Sequence, residues 1–360
     1  MHVRVVPGAR LTADDARAWR ALQRADRSLE PPFFRPEFTA VVAAIREGVE
    51  VAVLEEDGTP VGFFPYERRG RTAKPVGGRL SDFQGIVARP EAVREPEALL
   101  RACGLRAWSF DHLLASQEPF RRYHAVTAPS PVLDLSQGYA AWERAHRGGG
   151  SETMAQLHRK ARKLAREVGP LRFEFHTNER RVLETLLAWK REQYRRTTTT
   201  DITAMPWVVA LLERILATDA DGFGGVLSAL WTGDRLAAVH LGMRSDAVLH
   251  SWLPSYDRSL HRCSPGLVLL LRIAEAAAAR GIRTIHLGKG PEEYKQQLMS
   301  GVVLVAEGCV ETRPLVAALR RGTFGVRRWL LSSPLRRPAR GVARAAAWVA
   351  PTLREHLKMR

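Results

Sequence analysis

LHSWLPSYDRSLHRCSPGLVLLL (Leu249–Leu271), followed a short way on by HLGKGPEEYKQQL (His286–Leu298), decides the fold. The first stretch opens as a strand, breaks into a polar loop at Arg258–Ser264, and enters a helix at Pro265. That helix runs to Arg280 and is apolar on nearly every face except at Arg272 and Glu275, so it is expected to be buried. RTIHLG (Arg283–Gly288) reads as a short strand, Pro291–Leu298 as a helix, and VVLVAEGCVET (Val302–Thr312) as a closing strand. Upstream, Gly224–Asp257 reads as three strands joined at Gly233-Asp234 and Ser245-Asp246. A strand at Leu171–His176 and helices at Glu179–Arg196 and Trp207–Ala217 come before them. Strand, two helices, three antiparallel strands, helix, strand, helix, strand is an α+β order, neither doubly wound nor a barrel.

Further upstream, Arg147-Gly148-Gly149-Gly150-Ser151 reads as a linker, with a basic helix from Ser151 to Glu167 after it. The preceding residues form a lobe of their own. A helical stretch at Ala13–Leu29 is followed by a hairpin at Val49–Arg69 around Asp57-Gly58. A loop and strand at Leu80–Val87, a helix at Pro96–Cys103 and strands at Ala107–His112 and Val126–Leu135 complete it. No internal repeat is visible. Three segments are therefore expected: a first lobe at 1–147, a second at 151–312, and a tail at 313–360.

The segments FFRPEF (Phe33–Phe38), LSDFQG (Leu80–Gly85), LHRKARKLAREVGPLRFEF (Leu157–Phe175), LLAWKREQYRR (Leu186–Arg196) and the opening pair of stretches occur in the order of a known family. The chain resembles the CelD/BcsL-type acetyltransferases, a branch of the GNAT superfamily named for cellulose biosynthesis and related to FemAB-like aminoacyltransferases. The combination WxPxYD, SPG, GKGxxxYK carries that resemblance. It implies two tandem GNAT-like lobes, each a mixed, mostly antiparallel sheet flanked by helices. The second lobe would take the acyl donor, acetyl-CoA or another acyl-CoA, and no metal.

The residues are compatible with that chemistry. A helix N-terminus with free N–H groups is a natural holder for a diphosphate. Ser264 is a candidate N-cap, Pro265 suits the first helical position, and Gly266 leaves room for a ligand. Arg258 and Arg262, with His261, would add positive charge there. The loop Arg262-Cys263-Ser264-Pro265-Gly266 departs from the family pattern Q/R-x-x-G-x-G/A by one extra residue and a missing second glycine. An aminoacyl-tRNA donor, as in the FemAB-like branch, therefore stays open, and so does a non-catalytic GNAT scaffold. Acyl transfer needs a base for the nucleophile and an acid for the departing thiolate. Tyr294 stands where the resemblance places the acid. His240, His250, Asp257 and Glu293 are candidate bases. Trp252, Lys289 and Lys295 are candidates for contact with substrate, a sugar or polysaccharide precursor, another glycan, or a small amine. A two-residue turn at Ser245-Asp246 would set His240 opposite residue 251, and a three-residue loop would set it opposite His250.

Composition bounds the rest. Of a net charge of +17, the segment from Thr312 onward holds twelve Arg and Lys against Glu355 alone, a net +11. Interleaved with Trp329, Leu330, Leu331, Trp348 and Val349, these residues suggest a surface for anionic membrane, with nucleic acid as the weaker alternative. Cys103, Cys263 and Cys309 form no CxxC pair, which argues against a zinc site or disulfide framework. No stretch reaches the ~18 apolar residues of a spanning helix. A cytoplasmic location, with membrane association through the tail, is the simplest expectation.

Overall fold

The computed structural model describes residues 2–148, 153–197 and 200–317. Its first strand, β1 (His2–Pro7), was not anticipated from sequence. α1 (Ala13–Ala25) starts with a capping box, Thr12 Oγ1 accepting from the Asp15 amide while the Asp15 carboxylate accepts from the Thr12 amide. α2 (Pro36–Ala43) follows, then β2 (Val49–Glu56) and β3 (Thr59–Arg69) as the expected hairpin. Asp57 and Gly58 both have positive φ, +50° and +76°, which a two-residue turn matched to strand twist requires. β4 (Thr72–Lys74), β5 (Val87–Ala88), α3 (Pro96–Ala102), β6 (Ala107–Leu114) and β7 (His124–Asp134) complete this part.

The second part begins with α4 (Tyr139–Gly148) and α5 (Thr153–Glu167). β8 (Leu171–Glu174), α6 (Arg180–Thr197), α7 (Pro206–Leu216) and β9 (Asp219–Ala220) come next. They are followed by β10 (Phe223–Thr232), β11 (Arg235–Arg244), β12 (Val248–Tyr256), α8 (Pro265–Ala278), β13 (Thr284–His286), α9 (Glu293–Leu298) and β14 (Gly301–Glu311). The glycines at 149 and 150 and the tail from 318 to 360 lie outside the described residues, and with them nearly all of the expected membrane-facing segment. Among the described residues no helix is long and apolar enough to cross a membrane.

The described strands make one continuous sheet in the order β1-β2-β3-β4-β6-β14-β7-β13-β12-β11-β10-β8, with β5 and β9 alongside β3 and β10. Neighbours along that path are antiparallel except β4 with β6 and β12 with β13. Each lobe thus contains one parallel pair, a tandem arrangement that left no repeat in the sequence. The strands at the junction change places relative to the sequence reading. β7 does not simply end the first lobe, because it pairs with β13 as well as β14. β14 does not close the second lobe's own sheet, because it lies between β6 and β7. The two lobes are therefore hydrogen-bonded into one another.

The largest core crosses the same junction. Trp19, Phe33, Phe38, Val51 and Phe63 pack in one cluster with Leu186 of α6, Leu211 of α7, Phe223 of β10 and Met243 of β11. A second cluster lies on the other side of the second lobe, where α4, α5 and α8 contribute Trp142, Leu157 and Leu269. A third, with Phe64, Leu99, Trp108 and Phe120, fills the first lobe. Arg35, only 1% exposed, ties the lobes by polar contacts to Asp246 Oδ2 (3.4 Å) and the Asp221 carbonyl (2.5 Å).

Candidate active site

β12 and β13 run side by side for three residue pairs only, Val248–His250 against Thr284–His286. β13 then ends while β12 continues to Tyr256, so the two part and leave a wedge. Trp252 is an extra residue in β12, since Leu241 faces Leu253 but Gly242 faces Ser251. A bulge of this kind frees a residue from the ladder and re-aims its neighbours. It also overturns both expected registers of His240, which lies opposite Pro254, while His250 lies opposite Met243. The tight turn is at Asp246-Ala247, one residue later than expected, because Ser245 and Val248 still pair.

α8 starts beside the wedge. Ser264 occupies the N-cap position in a left-handed conformation, φ +47°, and its hydroxyl does not cap the helix. The Ser264 Oγ instead accepts a hydrogen bond of 2.8 Å from Lys160 Nζ of α5. An ammonium is thus held at the positive end of a fourteen-residue helix, where the dipole repels it. Arg258 and Arg262 are exposed in the turn just before, Arg258 3.8 Å from Glu192. Lys160 and Arg262 have no carboxylate partner among the described residues. Gly266 sits under Tyr256, whose ring carbon would be 3.3 Å from an added Cβ.

Tyr294 is half-buried in the first turn of α9. Burial, then the charge of Glu292, pushes its phenol up to about 12, so it keeps its proton at neutral pH. Lys295 is used inside the fold: Nζ donates to the Gly288 carbonyl (3.1 Å) and pairs with Glu292 (3.1 Å), with 7% of the side chain exposed. Lys289 donates to the Asp111 carbonyl at 3.1 Å. Asp257 accepts from the Ser259 amide and hydroxyl and from Arg235, so it caps the turn at 258–263. Burial alone would raise its pKa, but those hydrogen bonds hold it below the usual carboxylate range.

His240 is buried with neither ring nitrogen partnered, and burial, with smaller contributions from His250 and Lys190, pushes it down to about 3. It stays neutral, and Gly242 is what makes room for it, since an added Cβ would come within 2.5 Å of its Cε1. Trp252 packs edge-on against Phe33 at 5.9 Å, bringing an aromatic wall from each lobe together.

A polar cluster between the lobes joins His250, a candidate base, to residues that carried no assigned role. His250, fully buried, shares a 2.8 Å hydrogen bond between its Nε2 and Asp82 Oδ2. Its Nδ1 is buried and unpartnered, which makes Nε2 the protonated donor. Burial would raise Asp82, but that hydrogen bond and the nearness of the His250 and His112 rings outweigh it and hold the carboxyl below its ordinary range. Asp82 Oδ1 lies 3.8 Å from His112 Nε2, and His112 Nδ1 is 3.1 Å from Asp111 Oδ1. Gln84 fixes this group by donating to Asp111 Oδ1 (2.7 Å) and accepting from the amides of Asp111 and His112. Phe83, between Asp82 and Gln84, stands edge-on to His286 at 4.8 Å. Gly288, φ +70°, passes so close that an added Cβ would be 3.2 Å from Asp82 Oδ2. The cluster therefore borders the mouth of the wedge. LSDFQG supplied the available signal: two polar side chains flanking an aromatic one inside an otherwise apolar stretch.

Residues 151–296 match the family model described as an acetyltransferase (GNAT) domain. This segment is similar to the acetyltransferase (GNAT) domain family. The match contains the wedge, α8 and Tyr294. Among curated proteins no match is found. The crystal structure of FemX is similar with a TM-score of 0.58 and 10% identity, over 89% of this chain and 100% of that one. The C-terminal domain of a putative lysylphosphatidylglycerol synthetase from Agrobacterium fabrum is similar at 0.53 and 15% identity, over 89% and 96%. L-PGS from Bacillus licheniformis is similar at 0.53 and 11%, over 86% and 97%. At such identities these likenesses establish shared fold, which extends over both lobes. Among the described residues no group of His, Cys, Asp and Glu has the arrangement of a metal site.

Proposed function

We propose that the chain moves an acyl group from an acyl-CoA to an amine or hydroxyl of a small molecule or glycan precursor, in the wedge between β12 and β13. One observation carries the donor assignment: Lys160 is held on the open N-terminus of α8 with no carboxylate beside it among the described residues. The ammonium and the helix N-terminus converge on one point and would together bind an anion, and a diphosphate is the anion an acyl-CoA brings. Arg258 and Arg262 would extend the same anion site. Tyr294, protonated across the working range, is the acid for the departing thiolate. Trp252 and Phe33 offer a wall for the acceptor at the lobe junction.

The expected result is micromolar affinity for acetyl-CoA or a longer acyl-CoA by titration calorimetry. Lys160→Met should weaken it by about 10–100-fold, the value of one charge-assisted hydrogen bond. Absence of heat with acetyl-, propionyl- and longer acyl-CoAs, together with binding of aminoacyl-tRNA, would reject the donor in favour of a FemAB-like one.

A further inference from the structure

Acyl transfer requires that the acceptor lose a proton as it attacks, and the four candidate bases are ill placed: His250 is fully buried against Asp82, and Glu293 is exposed on α9 and accepts from Gln297. His240 is enclosed and unpartnered, and Asp257 is occupied as a cap. The first lobe supplies what the second lacks. His112 is 12% exposed, and its Nδ1 faces Asp111 Oδ1 at 3.1 Å. A carboxylate in that position keeps the proton on Nδ1 and leaves the Nε2 lone pair free. That lone pair lies 3.8 Å from Asp82 Oδ1, too long for a good hydrogen bond but close enough for one polar atom to bridge both from the open side. Asp82, 23% exposed, has its other oxygen engaged by His250, so Oδ1 is the oxygen left for a ligand.

We propose that His112, oriented by Asp111, is the catalytic base, taking the acceptor's proton while Asp82 Oδ1 holds the same nucleophile in place. This rests on the acyl-CoA reading. The nucleophile's lone pair forms the new bond to the thioester carbonyl carbon, and its proton passes to His112 Nε2. The carbonyl π pair moves to oxygen and returns as the C–S bond breaks. The thiolate leaves with the proton of Tyr294, and the proton on His112 restores the phenol through solvent. The charged and titratable groups facing His112 are Asp82 from the loop before β5, Asp111 of β6, His250 of β12 behind Asp82, and Lys289 after β13, whose Nζ is on the Asp111 carbonyl. His286 of β13 stands behind Phe83. A base donated by one lobe to a donor site in the other gives a reason for the exchange of β7 and β14.

Two nucleophiles separate this role from a structural one. Water must be deprotonated to attack, whereas hydroxylamine is already a free base at neutral pH. Full-length wild type and His112→Gln would be compared for hydrolysis of the acyl-CoA that binds best and for its transfer to hydroxylamine. Hydrolysis should fall by about 10²–10⁴-fold, the usual worth of a general base, and hydroxylamine transfer by less than tenfold. Asp111→Asn, which keeps size and hydrogen bonding, should move the acidic limb of the hydrolysis pH profile to lower pH, because the imidazolium loses its counter-charge. Equal losses on both nucleophiles, or none on either, would overturn the assignment, as would an unmoved pH profile in Asp111→Asn. Failure of the wild type to bind any acyl-CoA would instead take down the donor reading on which it rests.

Discussion

Lys190 gives the fold its most quantitative test. The buried face of α6 runs Val182, Leu183, Leu186, Leu187 and then Lys190, a helical stripe whose last member is an amine only 6% exposed. Among the described residues its hydrogen bond is to Gln193 Oε1 at 3.1 Å. Burial pushes the ammonium down from 10.5 to about 8, against a small opposing pull from Glu292. At roughly 1.4 kcal/mol per pH unit, a charged Lys190 therefore costs the folded state about 3 kcal/mol. Between about pH 8 and 10.5 the unfolded chain binds the proton that the folded one has released, so stability from this group rises with pH across that window. Lys190→Met keeps the length, removes the charge, and gives up a hydrogen bond worth about 1 kcal/mol. The variant should be more stable than wild type by about 2 kcal/mol at pH 7. The gap should close, and reverse slightly, as pH passes 10. Urea unfolding of both proteins at pH 7 and pH 10 measures this, because other titrations are common to the two and cancel. A variant no more stable than wild type at pH 7, or a gap that ignores pH, would show that the ammonium is not desolvated as its position implies.

Tyr294→Phe removes only the hydroxyl of a residue that stays protonated to about pH 12, so acyl-CoA affinity should hold while kcat falls by about 10²–10⁴-fold. Full turnover in that variant would exclude Tyr294 as the acid. Gly242→Ala would place a methyl 2.5 Å from His240 Cε1 and 2.7 Å from the His250 carbonyl, an overpacking worth about 1–3 kcal/mol. An unchanged melting temperature would mean that β11 and β12 are looser at the bulge than their register indicates.

The sequence alone determined most of the local structure, because local structure depends on near neighbours. Asp57-Gly58 specified the first hairpin, Pro265 and the apolar run behind it specified α8, and the order of elements in the second lobe specified its α+β class. The position of Tyr294 in the first turn of α9 was likewise legible, although its role rests on the resemblance. What failed were matters of register and pairing. Trp252 adds one residue to β12 and changes His240's partner, and nothing in the local pattern marks it, because aromatic and aliphatic residues serve equally in a ladder or a bulge. β1 was overlooked because its alternation, His2-Val3-Arg4-Val5, is only four residues long. The decisive features were nonlocal. Lys160 reaches Ser264 across 104 residues and Asp82 reaches His250 across 168. The first forms when α5 packs on α8 within the second lobe, and the second exists only where the two lobes meet. A histidine or carboxylate in a strand reads as structural until the chain 100 or more residues away supplies its partner, and only the tertiary structure does that.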